Sequence, residues 1–119
     1  MQVESFEELL SHYAAGERDF SGSDLDSETY NMDGVCLDGV NLSESFIFAS
    51  FRNAKLRGAR FCQANVKTCD FSGADLQDAD FRGAGLCSTS FKGANIKGAR
   101  FEGAYRHSHV FKEGDVPAD

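Results

Sequence analysis

The chain has no tryptophan, one proline and two methionines among 119 residues. No apolar run approaches the roughly 18–20 residues that a membrane-spanning helix needs. Basic residues are not in excess: twelve Lys and Arg stand against nineteen Asp and Glu, a net charge of −7. Each absence removes a class of function. Without an apolar span no bilayer crossing is expected, and without a basic stripe the electrostatic footprint of a nucleic-acid binder is missing. The four cysteines form no C-x-x-C pair, and neither G-x-G-x-x-G nor G-x-x-x-x-G-K-[ST] occurs, so no metal or nucleotide motif is present. The N-terminus, MQVESFEELL, has neither the charged n-region nor the long h-region of a signal peptide. The expectation is one soluble, cytoplasmic domain over residues 1–119 with free thiols.

The chain does have a five-residue beat. From Phe51 to Phe101 a large apolar residue falls at every fifth position: Phe51, Leu56, Phe61, Val66, Phe71, Leu76, Phe81, Leu86, Phe91, Ile96 and Phe101. Ala stands two places before nearly all of them; Cys69 and Thr89 are the exceptions, and both are small. A period of five suits neither a helix nor a half-buried strand. Residues five apart wander round a helix and alternate between the faces of a strand. A chain that turns a corner every five residues gives them one interior, and four such sides close a square. Every twentieth residue falls into a column: Phe51, Phe71, Phe91 and Phe111; Leu56, Leu76 and Ile96; Phe61, Phe81 and Phe101; Val66 and Leu86. Columns of this kind are expected where coils stack and like side chains lie above like. The run from Phe51 to Phe101 therefore supplies the expected core. Nine of the twelve glycines sit two places after a central residue, where a tight corner favours positive φ.

The pieces AKLRG, ANVKT, ADLQD, ADFRG and ANIKG follow the pattern A-(D/N)-L-x-x. On these motifs the chain, from Phe20 to Phe111, resembles the pentapeptide repeat family, as a short member of the cyanobacterial type. The entry segment LLSHYAAGERDFSG is similar to that of many cyanobacterial members. The resemblance implies an all-β fold, a right-handed quadrilateral parallel β-helix (a solenoid) with coils about twenty residues long.

The ends and breaks individualise this chain. Residues 3–16 read as a short N-terminal capping helix, with Val3, Phe6, Leu9, Leu10 and Tyr13 on one face, Ser5 and Glu8 as a capping box and Gly16 as the stop. Such a helix covers the open edge of a first coil. Repeats are expected over residues 18–111, interrupted by two extra residues at a corner loop over Asp26–Asn31, by a step of four between Ile47 and Phe51, and by Arg106 at a central position. Residues 112–119 read as a mobile polar tail. No second helix covers the C-terminal end, and an uncovered coil invites a homodimer by end stacking.

For function the outward residues matter. Arg60, Asp80 and Arg100 stack one coil apart and are expected to form a charge ladder. Asp70, Asp75 and Asp80 spiral round different sides and cannot converge on a metal or an acid/base pair. His107 and His109 read as part of a frayed polar terminus. With no converging nucleophile, base and oxyanion donors, the chain is expected to be no enzyme and to use no cofactor, metal or small-molecule substrate. Phe46 and Phe48 flank inward Ile47 at the shortened corner. Either that corner turns Phe48 inward or both rings form an apolar patch, which with Tyr105 on the same side is the candidate partner surface. The expected role is a protein–protein interaction, scaffold or regulatory module. The family resemblance implies an alternative: longer quinolone-resisting relatives look like B-form DNA and bind a type II topoisomerase, gyrase. This rod is short, and its middle, residues 51–101, carries nine basic side chains against four acidic ones.

Overall fold

The structure is a computed structural model that describes residues 1–118. Its first element follows from a cap. Ser5 has extended backbone and its hydroxyl accepts the Glu8 N–H at 3.2 Å, so helix α1 begins after it and spans Phe6–Ala14. Glu7 and Glu8 lie in the first turn, where the helix dipole favours anions. Val3, expected within the helix, precedes it instead; it is buried, and its N–H donates to Ser23 Oγ at 2.9 Å. The helix lies against the first coils. Phe6 meets the Tyr30 ring at 4.9 Å and the Phe51 ring at 5.8 Å, and the Tyr13 hydroxyl donates to the Asp38 carbonyl at 2.7 Å.

From Ser50 onward the chain is a regular repeat solenoid. Single parallel bridges join Ser50 to Asp70, Lys55 to Asp75, Arg60 to Asp80 and Asn65 to Gly85, four contacts between one coil and the next. The hydrogen bonds run both ways: the Phe71 N–H donates to Ser90 O at 2.8 Å, and the Asp75 N–H to Ala54 O at 2.9 Å. Each corner is closed by a bond such as Ala74 N–H to Phe71 O at 3.0 Å. The corner residue two after the centre takes positive φ even without glycine: Glu44, Asn53, Gln63, Thr68, Asp78 and Ser88 have φ between 57° and 64°. The coil geometry, not residue type, sets that dihedral.

The interior is two interleaved phenylalanine stacks. Phe51, Phe71 and Phe91 stack face to face at 5.2 and 5.4 Å, and Phe61, Phe81 and Phe101 do so at 4.9 and 5.3 Å. Rings of the two stacks meet edge to face at 5.4–6.5 Å, an arrangement favoured by the ring quadrupoles. Phe6 continues the first stack upward from the helix, edge-on to Phe51. Leu42 heads the Phe61 stack, and Leu37, Leu56, Val66, Leu76 and Leu86 fill the remaining sides, all fully buried. Ile96 departs from the expected core. It belongs to the Leu56–Leu76 column but is only half-buried, because it is the last member and no described residue continues the column beneath it.

Both breaks in the beat resolve into extended backbone. Strand β1 spans Asp24–Asn31 and strand β2 spans Phe46–Ser50, and they pair in parallel. Ile47 and Ala49 of β2, and Phe51 directly after it, all face inward. A step of four is even, so a straight strand keeps both large residues on one face without a corner. The extra residues lie within β1, where the register with β2 is interrupted between Leu25 and Tyr30, not as a separate loop.

The C-terminal end is more ordered than the sequence suggests. Strands β3 (Tyr105–Arg106) and β4 (His109–Val110) form an antiparallel hairpin, so the segment holding His107 and His109 is no frayed terminus. Phe111, expected in the column of Phe51, Phe71 and Phe91, instead returns beneath Phe101, because the hairpin folds the chain back under that side; the ring centroids are 6.1 Å apart and its N–H donates to Ala104 O at 2.8 Å. Arg106 enters the Val66–Leu86 column and caps it, donating from Nη2 to Thr89 O at 2.9 Å and from Nε to Leu86 O at 3.4 Å. Pro117 is buried, which anchors a segment expected to be a mobile tail; residue 119 lies outside the described residues. The whole measures 36 × 22 × 21 Å.

Candidate partner surface

Stacking turns outward residues into rows. On the Leu86 side, the residue before each centre gives the row Asp24, Phe46, Asn65, Gly85 and Tyr105, joined by bridges. The residue after each centre gives Asp26, Phe48, Lys67, Cys87 and His107; within it the His107 N–H donates to Cys87 Sγ at 3.3 Å. Both phenylalanines point to solvent: Phe46 is 49% exposed, Phe48 37% and Tyr105 42%. Straightening of β2 decides this, since alternation about inward Ile47 and Ala49 sends Phe46 and Phe48 outward.

The two rows enclose an open trough. One part, of 260 Å³, is lined by Asp26, Phe46, Ile47, Phe48, Asn65 and Lys67. Another, of 140 Å³, is lined by Asn65, Lys67, Gly85, Cys87 and Tyr105. They share Asn65 and Lys67, so one trough runs from the phenylalanines to Tyr105 with the lysine near its middle. Its floor includes Gly85, whose lack of a side chain lets the Tyr105 ring lie close over the backbone. Sequence reasoning found the aromatic ends but missed this floor; the signal was Gly85, which stands off the corner register of the other repeat glycines.

The expected charge ladder has the right register and the wrong partners. Arg60, Asp80 and Arg100 do bridge in sequence, but Asp80 binds Arg82, at 2.7 Å, and Arg100 reaches Glu102 at 3.4 Å. Residues i and i+2 flank the same turn, and the fork of Arg82 meets both carboxylate oxygens of Asp80 there. Burial pushes the Asp80 carboxyl up, but hydrogen bonds from the Arg82 side chain and backbone outweigh it and hold the group at about 2. Two further pairs cross between coils at equivalent places: Arg52 with Asp70 at 2.7 Å and Arg57 with Asp75 at 2.6 Å.

All four cysteines are unpaired. Burial drives the Cys69 thiol up to about 12. Among the described residues no cluster of His, Cys, Asp and Glu is placed to hold a metal ion, and no helix is long and apolar enough to cross a membrane.

The family model for pentapeptide repeats matches residues 45–66 and 69–105, in eight copies. A pentapeptide repeat protein of Nostoc PCC 7120 with a solved structure is 36% identical, over 98% of this chain and 93% of that one, with a TM-score of 0.54. HetL, a pentapeptide repeat protein involved in heterocyst differentiation regulation in Nostoc sp. strain PCC 7120, is 28% identical, over 78% of this chain and 49% of its own, at a TM-score of 0.53. One from the cyanobacterium Cyanothece 51142 is 23% identical, over 72% of this chain and 62% of that one, with a TM-score of 0.59, a likeness of fold. This chain thus spans 62% of the Cyanothece protein and 49% of HetL. No curated protein matches its sequence.

Proposed function

Because the chain belongs to the pentapeptide repeat family, we propose that it is a non-enzymatic interaction module. In this reading it is a right-handed, four-sided parallel β-helix, capped by α1, whose trough between Phe46, Phe48 and Tyr105 docks a protein partner in a regulatory or scaffolding role. The supporting observation is the exposure of Phe46 and Phe48 side by side on β2, in a fold whose other large apolar residues are mostly buried. A rigid wall of aromatic side chains flanking a polar floor suits protein recognition, since aromatics contribute large contact area at low entropic cost. That a relative of similar fold, HetL, is named for a part in the regulation of differentiation agrees with such a role.

The test is affinity capture from the native host with the wild-type chain and with Phe46→Ser/Phe48→Ser. A specific protein retained by the first and lost by the second, at unchanged thermal stability, is the expected result. Equal retention by both removes the surface from consideration. The second reading, a DNA-mimicking modulator of gyrase, draws on the net charge of −7. It requires that the purified chain inhibit or protect gyrase in a supercoiling assay; no effect ends that reading.

A further inference from the structure

Among the described residues, the last full coil leaves backbone groups unpaired between Gly93 and Ala99. In every earlier coil the N–H groups at the equivalents of Gly93, Ile96 and Gly98 donate downward: Gly73 to Lys92 O at 2.9 Å, Leu76 to Asn95 O at 2.8 Å and Asp78 to Lys97 O at 2.9 Å. In the last coil those three N–H groups, and the carbonyls of Ala94 and Ala99, have no partner among the described residues. Hairpin β3–β4 and Phe111 serve the neighbouring side only. Ala94, Ile96 and Ala99 are half-exposed along the same edge. This is a sheet edge with apolar side chains between its hydrogen-bonding groups, the geometry that accepts an added strand.

The charges say what kind of strand fits. Higher in the rod, Arg52 and Arg57 follow two successive centres and bind Asp70 and Asp75, which precede the centres of the coil below, at 2.7 and 2.6 Å. Two coils down, Lys92 and Lys97 occupy the places of Arg52 and Arg57, and neither has an ion-pair partner among the described residues. Arg100 lies on the same edge, with Glu102 as its only acidic contact among the described residues. A second copy joined edge to edge across a two-fold axis would set Lys92, Lys97 and Arg100 against their own images, a like-charge arrangement that opposes it. The N-terminal end of a second copy is covered by α1.

We infer that the Gly93–Gly98 edge binds an extended acidic segment of another protein, with carboxylates five residues apart over Lys92 and Lys97 and small or apolar residues between them. The added strand completes one more rung, taking hydrogen bonds from Gly93, Ile96 and Gly98 and giving them to Ala94 and Ala99. This surface lies on the Ile96 side of the rod and is independent of the aromatic trough.

The probe is a synthetic peptide with the sequence of residues 69–78 carrying Cys69→Ala, which holds carboxylates at the spacing of Asp70 and Asp75. Hydrogen exchange by NMR is followed at Gly93, Ile96 and Gly98 in the whole chain. The expected result is fast exchange in the free protein, slowed about tenfold or more by saturating peptide, a range typical of amides drawn into sheet bonds. The peptide with Asp70→Asn and Asp75→Asn should bind about tenfold more weakly, as should the unchanged peptide with Lys92→Glu/Lys97→Glu. Two results overturn the inference: no change at the three amides at millimolar peptide, or protection that rises with protein concentration alone, which identifies a second copy as the occupant. Retained peptide binding in Phe46→Ser/Phe48→Ser separates this edge from the trough.

Discussion

The Tyr105 ring lies over the bare backbone of Gly85: a β-carbon on Gly85 would stand 2.7 Å from the Tyr105 hydroxyl and 3.0 Å from Cζ. The contact holds the ring down at one end of the trough. Gly85 does not have positive φ, so Gly85→Ala strains no backbone. It should change stability by less than about 1 kcal/mol while lifting the ring. NMR contacts between the Tyr105 ring and residue 85 should disappear, and partner capture should fall as it does for Phe46→Ser/Phe48→Ser. An unchanged ring position would show that Tyr105 is placed by the hairpin alone.

Phe71 is the middle ring of one stack, 5.2 Å from Phe51 and 5.4 Å from Phe91, and meets Phe61 and Phe81 of the other stack edge-on. Neighbours fixed by coils on both sides cannot collapse into the space it would leave. Phe71→Ala should therefore cost ~3–5 kcal/mol in denaturant unfolding. A loss under about 1 kcal/mol would mean that the coils repack freely.

Thr68 holds φ at 64°, a conformation poorly suited to a β-branched residue. Thr68→Gly removes left-handed strain of about 1–2 kcal/mol and adds about 0.5–1 kcal/mol of unfolded-state entropy. The net expectation is a gain of about 0.5–1 kcal/mol, read as a higher melting temperature. A drop in melting temperature would show that the Thr68 side chain stabilises the corner by more than the strain costs.

Asp80 gives the acid side of the stability profile its shape. Its carboxyl is held at about 2 in the fold, below the ordinary value near 3.9 of an unfolded chain. Its contribution is thus complete above about pH 4 and is lost as the pH falls through about 2. Because the Arg82 side chain is 43% exposed, solvent screens the pair, and Asp80→Asn should cost about 1 kcal/mol at pH 7 and progressively less as the pH falls through about 2. Parallel acid-unfolding curves for the two proteins would contradict this.

The cysteines should differ sharply in reactivity. Cys36 is exposed, whereas burial puts the Cys69 thiol at about 12. Iodoacetamide at pH 8 should label Cys36 in the native protein and Cys69 only after denaturation. Native labelling of Cys69, seen by mass spectrometry, would mean that the coil around it opens.

Much of this molecule was legible as periodicity. An apolar residue at every fifth place, from Phe51 to Phe101, can share one interior only if the chain turns at each repeat, so the columns of phenylalanine and leucine follow from the sequence. The capping role of Ser5 was legible too, because a cap is a local hydrogen bond, although the helix starts after it and not at residue 3. Other outcomes depended on contacts between coils. Whether Phe48 faced inward was settled by the pairing of β2 with β1, which holds the shortened corner straight. Asp80 chose Arg82 over its stacked neighbours because the nearer fork reaches both carboxylate oxygens. Ile96 is half-exposed and Pro117 buried because the last coil ends where it does and the chain folds back, which no repeat pattern encodes. The beat determines what a coil is, since its information is local; only the assembled rod decides which of its faces and edges are left for a partner.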